Sequence, residues 1–299
     1  MKVLLTGASG MVGTNLMSYF KERGVEVMPT DLSGWPVSGD LLDRKFVFES
    51  LYSLDFDAVI HLAAITELKK TIENPHLCFD VNCVGTLNML ELARRKKVKR
   101  IICASSANVF GAPKNNPVSE DSPFDPRVPY DYSKVVCENL AMGFYRSQGV
   151  PITITRSWLL FGENDQPSRA TIRFIRACLS DQPLTLFNEG RDVTSPSHAV
   201  NYAKLALSAL TDDRAVGQAF NFGGEKAVSI RELAEAVKRL TGSKSVLNLA
   251  PPRTELERIP MVSYPSIQKI RSVLGYTHEL DLEHGLQRTI DWVKRSPMQ

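Results

Sequence analysis

The chain has 299 residues, 43% of them hydrophobic, and its 36 lysines and arginines against 33 aspartates and glutamates leave a formal net charge of +3. That much apolar material fills the core of one large or two small domains, and the nearly balanced, dispersed charge argues against nucleic acid as a partner. No apolar run approaches the length of a membrane span. The first strand begins at residue 2, which leaves no room for a signal peptide, so no membrane partner and a cytoplasmic location are expected. The five cysteines, at 78, 83, 103, 137 and 178, include no CxxC pair. They read as reduced core thiols, and no metal site is expected.

In chain order, a strand over 2–6 runs into Thr6-Gly7-Ala8-Ser9-Gly10-Met11-Val12-Gly13. Such a turn must be sharp, must let a pyrophosphate approach bare backbone, and must start a helix packed close to the sheet, and each demand excludes a Cβ. Gly7 and Gly10 therefore mark a phosphate cradle. A helix over 11–23 follows, with Val12, Leu16, Met17 and Phe20 in helical period and Gly24 beyond its end. Its first turn, at Met11 and Val12, aims N–H groups and a positive dipole end at the phosphates.

A strand over 25–30 ends at Asp31, about twenty residues past the turn, where a carboxylate accepts bonds from ribose hydroxyls. Asp31 repels a 2′-phosphate, and Leu32-Ser33-Gly34 supplies no cation to offset it, so the predicted cofactor is NAD rather than NADP. Asp40 and Leu41 can reach the adenine, although a helix N-cap explains Asp40 equally well.

Strands at 57–62, 99–104 and 152–157 alternate with helices at 76–96 and 130–148, which means an α/β fold built on a doubly wound parallel sheet. The runs 57–62 and 100–104 lack period-two alternation, as strands covered by helices on both faces should. The basic run Arg94–Lys97 falls where a helix ends and its dipole favours cations. Beyond Gly162 the rhythm loosens into helices at 168–180, 199–211, 229–241, 266–274 and 282–295. The expected organisation is a dinucleotide-binding domain over 1–162, with 191–222 returning to it, and a smaller, mostly helical substrate lobe over 163–190 and 223–299.

Ligands of such sheets sit above the carboxyl ends of the strands. There the strand 99–104 runs into Ser105-Ser106-Ala107-Asn108-Val109-Phe110-Gly111. Tyr130 and Lys134 stand one turn apart on the next helix. A phenol titrates near 10, so a tyrosine acting as a base near neutrality needs a cation beside it. Lys134 supplies that cation, and Ser106 can bridge the substrate oxygen and Tyr130.

Together these residues resemble the extended short-chain dehydrogenase/reductase family, in its nucleotide-sugar epimerase and dehydratase branch, over essentially the whole chain. Residues 6–13 match its TGxxGxxG, His61-Leu62-Ala63-Ala64 its HLAA, and Asn82 with Gly85-Thr86-Leu87-Asn88 its NxxGTxN. Residues 105–111 match its SSxxVYG, with Phe110 for the usual Tyr, and 130–134 its YxxxK. The resemblance implies a Rossmann-like fold, with Leu62, Ala63, Ala64 and Asn82 at the cofactor and Asn82 also holding the loops around the site. It implies Ser106, Tyr130 and Lys134 as the catalytic trio, Lys134 and Tyr130 also meeting NAD. It further implies a nucleotide-sugar substrate met by Ser106, Asn108, Tyr130, Arg191 of a GxRD-like element and Arg253, and a homodimer paired through helices 76–96 and 130–148.

Four further positions depart from the family pattern. Dehydratase relatives carry an Asp-Glu pair just after the catalytic hydroxyl; Ala107 and Asn108 stand there and cannot ionise, which argues against dehydration and decarboxylation. Leu159 replaces an asparagine that touches substrate in epimerases, and His198, where many relatives have Asp, reads as structural. The expected activity is NAD-dependent epimerisation of a nucleotide-activated sugar, at C4. The alternatives are a reductase or dehydrogenase of a 4-keto (deoxy) nucleotide sugar and a catalytically silent regulatory subunit.

Overall fold

The computed structural model describes residues 1–252 and 258–296. Its first part runs β1 (Lys2–Thr6), α1 (Met11–Lys21), β2 (Glu26–Thr30), β3 (Ala58–His61), α2 (Leu68–Glu73), α3 (Pro75–Phe79), α4 (Gly85–Lys96), β4 (Arg100–Ser106), α5 (Pro129–Gln148) and β5 (Ile152–Ser157). The second part runs β6 (Leu160–Phe161), α6 (Ala170–Leu179), β7 (Leu184–Phe187), β8 (Val193–Thr194), β9 (Ser197–His198), α7 (Ala199–Thr211) and β10 (Gln218–Phe222). It closes with β11 (Val228–Ser229), α8 (Ile230–Thr241), β12 (Leu247–Ala250), α9 (Gln268–Leu274) and α10 (Leu282–Arg295).

Six strands form one parallel sheet in the order β10-β5-β4-β3-β1-β2. From β1 the chain adds β2 on one side and then crosses to β3 on the other, so the topological switch point lies between β1 and β3, and a crevice opens at their carboxyl ends. The glycine turn leaves β1 at that crevice.

The apolar runs explain why the sheet is central. Val3, Leu5 and Ile60 point to one face, where Leu16 and Phe20 of α1 and Tyr202, Ala203 and Ala206 of α7 cover them. Leu4, Val59 and Ile101 point to the other, under Met89, Leu90 and Ala93 of α4 and Ala141 of α5. A separate core of Phe161, Phe174, Ile175, Leu186, Leu233, Val237, Leu286 and Ile290 holds the lobe built from α6, α8 and α10. Residues 193–194 and 197–198 pair with β11 and β6, away from the central sheet, whereas α7 packs on α1 and β10 extends the central sheet beside β5.

The helix expected over 76–96 is broken. Asn74 caps α3 by accepting from Leu77 N at 3.0 Å, Pro75 opens that helix, and a π-helical turn over Asp80–Val84 precedes α4. The wide turn leaves the Asn82 carbonyl to accept from the Thr86 hydroxyl and from the Cys137 thiol at 3.1 Å, and such turns recur at functional sites. A second π-helical turn at Phe46–Leu51, the helix α2 and the short pairs β6–β9, β7–β12 and β8–β11 have no counterpart in the sequence reading. Strand β4 runs two residues further than periodicity predicts, to Ser106, because Ser105 and Ser106 still pair with Arg156 and Ser157 of β5.

Candidate active site

The three glycines of the turn answer to different neighbours. Gly7 lies at φ +73°, and a Cβ there would meet Ala63 N at 2.7 Å; a Cβ on Gly13 would meet Gly7 O at 2.6 Å and Ala8 O at 2.7 Å. Both are required by the protein's own backbone. At Gly10 the nearest atom to an added Cβ is Gly7 O at 3.3 Å, so its open side is the one left for a ligand. Gly10 precedes α1, no side chain caps that helix, and the amides around Met11 and Val12 keep the anion-binding capacity of a helix start.

Asp31 ties the end of β2 to this loop. Its Oδ2 accepts from Ser9 N at 3.0 Å and its Oδ1 from Leu32 N at 2.8 Å, while Trp35 Nε1 donates to Ser9 Oγ at 3.0 Å. Each carboxylate oxygen keeps a lone pair for a ribose hydroxyl. Asp40 accepts from Leu42 N at 2.9 Å and is a turn cap, and the carbonyl of Leu41 accepts from Asn88 Nδ2 at 2.8 Å.

Beneath the turn runs a directed chain that sequence reasoning did not find. Ala63 N donates to Thr6 Oγ1 at 3.3 Å, and Thr6 Oγ1 donates to His61 Nδ1 at 2.8 Å. Thr86 gives its proton to the Asn82 carbonyl, so His61 Nε2 donates to Thr86 Oγ1 at 3.1 Å. Burial, helped by the charge of Lys134, pushes the His61 imidazole down to about 3, which keeps it neutral. Asn82 closes the arrangement: its Oδ1 accepts from Ile65 N at 2.8 Å, and its Nδ2 donates to Ile65 O at 3.1 Å and Ser133 Oγ at 2.9 Å. The segment Leu62–Ala64 is thereby held from below. The resemblance implied the part played by Asn82, whereas the chain through Thr6, His61 and Thr86 had no signal beyond a histidine in an otherwise apolar strand.

At the end of β4, Ser106 caps a short 3-10 turn by accepting from Asn108 N at 3.2 Å, which leaves its hydroxyl proton to donate. Lys134 donates to the Ala104 carbonyl at 2.9 Å, and its Nζ stands 5.9 Å from the centre of the Tyr130 ring. Ser106, Tyr130 and Lys134 are each less than a tenth exposed. One amide hydrogen of Asn108 is committed away from substrate, because Nδ2 donates to Asp131 Oδ1 at 3.0 Å. Behind the site Arg156 pairs with Glu138 at 2.8 Å, both buried, and its guanidinium lies 5.2 Å from the ring centre of Phe110 and 4.9 Å from that of Phe124. Trp158 stacks on Phe110, and Leu159 packs into the core of the lobe.

Arg191 stands on the lobe, half exposed. With Asn188, Leu249, Ala250, Pro251 and Pro252 it lines a cleft of about 300 Å³. Its Nη2 donates to Asn188 Oδ1 at 2.9 Å, and Asp192 turns away to accept from Met261 N at 2.8 Å. Asn188, Glu189 and Gly190 all have positive φ, at 48°, 58° and 70°, so the guanidinium projects from a tightly folded turn. His198 caps α7 through Nδ1, which accepts from Val200 N, and places Nε2 3.0 Å from Glu163. Arg253 lies outside the described residues.

A doubly wound parallel sheet, a glycine turn at its switch point and a serine, tyrosine and lysine gathered over the neighbouring strand end mark the chain as an extended short-chain dehydrogenase/reductase. The model of the NAD dependent epimerase/dehydratase family matches residues 3–223, and the chain belongs to that family. It is 30% identical to a putative UDP-glucose 4-epimerase of Methanocaldococcus jannaschii, over 98% of this chain and 99% of that protein. It is 29% identical to the UDP-glucuronic acid decarboxylase 1 of Danio rerio, over 98% of this chain and 73% of that protein. The UDP-glucose 4-epimerase of Thermus thermophilus, solved in complex with NAD, superposes with a TM-score of 0.88 at 25% identity, each chain covered completely. The cofactor is NAD, and the residues present fit it: the cradle is bare where a pyrophosphate would approach, and the carboxylate of Asp31 follows β2 directly beside it. Among the described residues no helix is long and apolar enough to cross a membrane.

Proposed function

We propose that the protein is an epimerase that inverts the C4 hydroxyl of a UDP-hexose. The observation that carries this reading is the turn after Ser106. Ala107 and Asn108 place no ionisable group there, and the amide nitrogen of Asn108 is already bonded to Asp131. The turn after Ser106 thus supplies no second group to expel water or direct decarboxylation, and this reading gives the acid-base chemistry to Tyr130.

In this reading Gly7, Gly10, Met11, Val12, Asp31, Leu62, Ala63, Ala64, Asn82 and Lys134 hold NAD, which when bound supplies a hydride acceptor that returns the hydride. Tyr130 takes the proton from the sugar hydroxyl and gives it back, and Ser106 donates its free hydroxyl hydrogen to the same oxygen. The Lys134 ammonium, 5.9 Å from the centre of the Tyr130 ring, places a positive charge beside the reacting oxygen. Arg191 takes the diphosphate with its planar fork of donors, and Arg253 is the second candidate for that role. Asn108, with one amide hydrogen held by Asp131, keeps its Oδ1 and its second amide hydrogen for substrate. The second reading, a reductase or dehydrogenase of a 4-keto nucleotide sugar, is favoured by Leu159, which offers the sugar no hydrogen bond.

Incubation with UDP-glucose separates the two. Conversion to UDP-galactose beyond the total NAD present supports the epimerase. Turnover that stops at one equivalent of NAD overturns it. We further propose a homodimer, because α5 exposes Tyr132 and Val136 beside Val84 and Leu87 at the start of α4. A cytoplasmic setting agrees with five buried, unpaired thiols.

A further inference from the structure

We infer that Asn108 and Asp131 form a positioning joint that sets the reach between Ser106 and Tyr130. This rests on the epimerase reading above. Asp131 is 4% exposed, and its carboxylate accepts three bonds: from Arg127 N at 3.0 Å and Val128 N at 3.2 Å through Oδ2, and from Asn108 Nδ2 at 3.0 Å through Oδ1. The first two close the start of α5. Val128, the residue before the helix, has no side-chain acceptor, so Asp131 alone performs the capping, at a helix end where negative charge is favoured.

The third bond has a different consequence. Asn108 lies two residues after Ser106 on the 3-10 turn that Ser106 caps, and Asp131 follows Tyr130 in the first turn of α5. One carboxylate therefore fastens the turn that carries the serine to the turn that carries the tyrosine. Both side chains must meet the same substrate oxygen, and such constellations tolerate errors of only about 0.5 Å. Lys134 and Ser133 fix α5 further along, through Ala104 and Asn82. Among the described residues, the bond from Asn108 to Asp131 is the side-chain hydrogen bond that joins the Ser106 turn to the first turn of α5.

The joint also explains why an acid is absent at position 108. A carboxylate there would stand within hydrogen-bond distance of Asp131, and the two would share a proton or push the turns apart.

The test compares Asn108→Ala, Asn108→Asp and the exchanged pair Asn108→Asp with Asp131→Asn, in which Oδ1 of the new amide still caps α5 and its Nδ2 bonds the new carboxylate. With UDP-glucose, both single variants should lose about 10- to 100-fold in kcat while retained NAD stays within about twofold, and the exchanged pair should recover to within about threefold. A structural role alone would lower Tm and leave the kcat of the folded fraction unchanged, and that result overturns the inference, as does failure of the exchanged pair to recover. If the wild type turns over no UDP-sugar, the epimerase reading falls, and amide exchange then decides the joint. Faster exchange over residues 128–133 in Asn108→Ala supports it, and unchanged exchange refutes it.

Discussion

The three glycines of the turn should separate under substitution, because one answers to a ligand and the others to the protein. A methyl on Gly13 would lie 2.6 Å from Gly7 O, 2.7 Å from Ala8 O and 2.8 Å from Ala8 Cα. All three are backbone atoms, so no rotamer relieves the contact, and α1 would have to retreat by about 0.8 Å to reach ordinary van der Waals distance. Leu16 and Phe20 of that helix are fully buried, so the retreat loosens a packed face. Overpacking of this kind costs about 3 kcal/mol, and replacing a helical glycine with alanine returns about 1 kcal/mol. Gly13→Ala should therefore lose about 2 kcal/mol, near 4 °C in Tm for a chain of this size. Gly10→Ala meets a single atom at 3.3 Å and sits at φ −70°, ψ 162°, open to any residue. It should keep the stability of the NAD-free protein within about 1 kcal/mol. It should nevertheless lose at least about tenfold in NAD affinity, because its methyl occupies the space where the pyrophosphate approaches. Thermal unfolding without cofactor and titration with NAD read the two effects separately. Unchanged NAD affinity in Gly10→Ala, or wild-type stability in Gly13→Ala, would refute the division of roles.

Tyr130→Phe should lower kcat by about 10² to 10⁴ while retaining NAD, since it removes only the proton acceptor; a variant with wild-type turnover would exclude Tyr130 as the base. The imidazole of His61 is held at about 3 in the fold against an ordinary 6.5. The stability this gives is fully present above 6.5 and drains away as the pH falls from 6.5 towards 3. His61→Leu should cost about 2–4 kcal/mol at neutral pH, because the Thr6 hydroxyl proton loses its acceptor and Thr86 loses a donor in a buried site. In urea unfolding its deficit against the wild type should shrink near pH 4, and an equal deficit at both pH values would contradict the assignment. Val136→Glu should convert a dimer to a monomer in sedimentation equilibrium, since it puts a charge on the exposed apolar face of α5; a monomeric wild type would remove that interface.

The alternation of strand and helix made the central sheet legible, and the spacing of glycines, Asp31, Ser106, Tyr130 and Lys134 drew attention to one crevice. Those signals are periodic or compositional, and both survive without coordinates. The π-helical turn at residues 80–84 did not show, because Asp80-Val81-Asn82-Cys83-Val84 fits a continuous helix until Asn82 is seen bonding the segment after β3 and Ser133 of α5. The chain through Thr6, His61 and Thr86 was equally silent: its members lie 55 and 25 residues apart, and only strand register brings them together. The resemblance placed Asn108 at the substrate and said nothing of what its amide bonds. Its partner Asp131 is 23 residues away, and no local pattern links them.

Strand β10 and helix α7 return to the first half of the molecule after the chain has begun the lobe. One extends the sheet beside β5 and the other covers α1. The lobe is therefore not a detachable module. A chimaera joined at Gly162 would strip the cover from Leu5, Leu16 and Phe20 and leave β5 as a bare edge, inviting aggregation. Exchange of substrate preference between relatives should instead succeed by grafting the segments at 187–191 and 249–252, which border the Arg191 cleft and can change without unstitching the sheet.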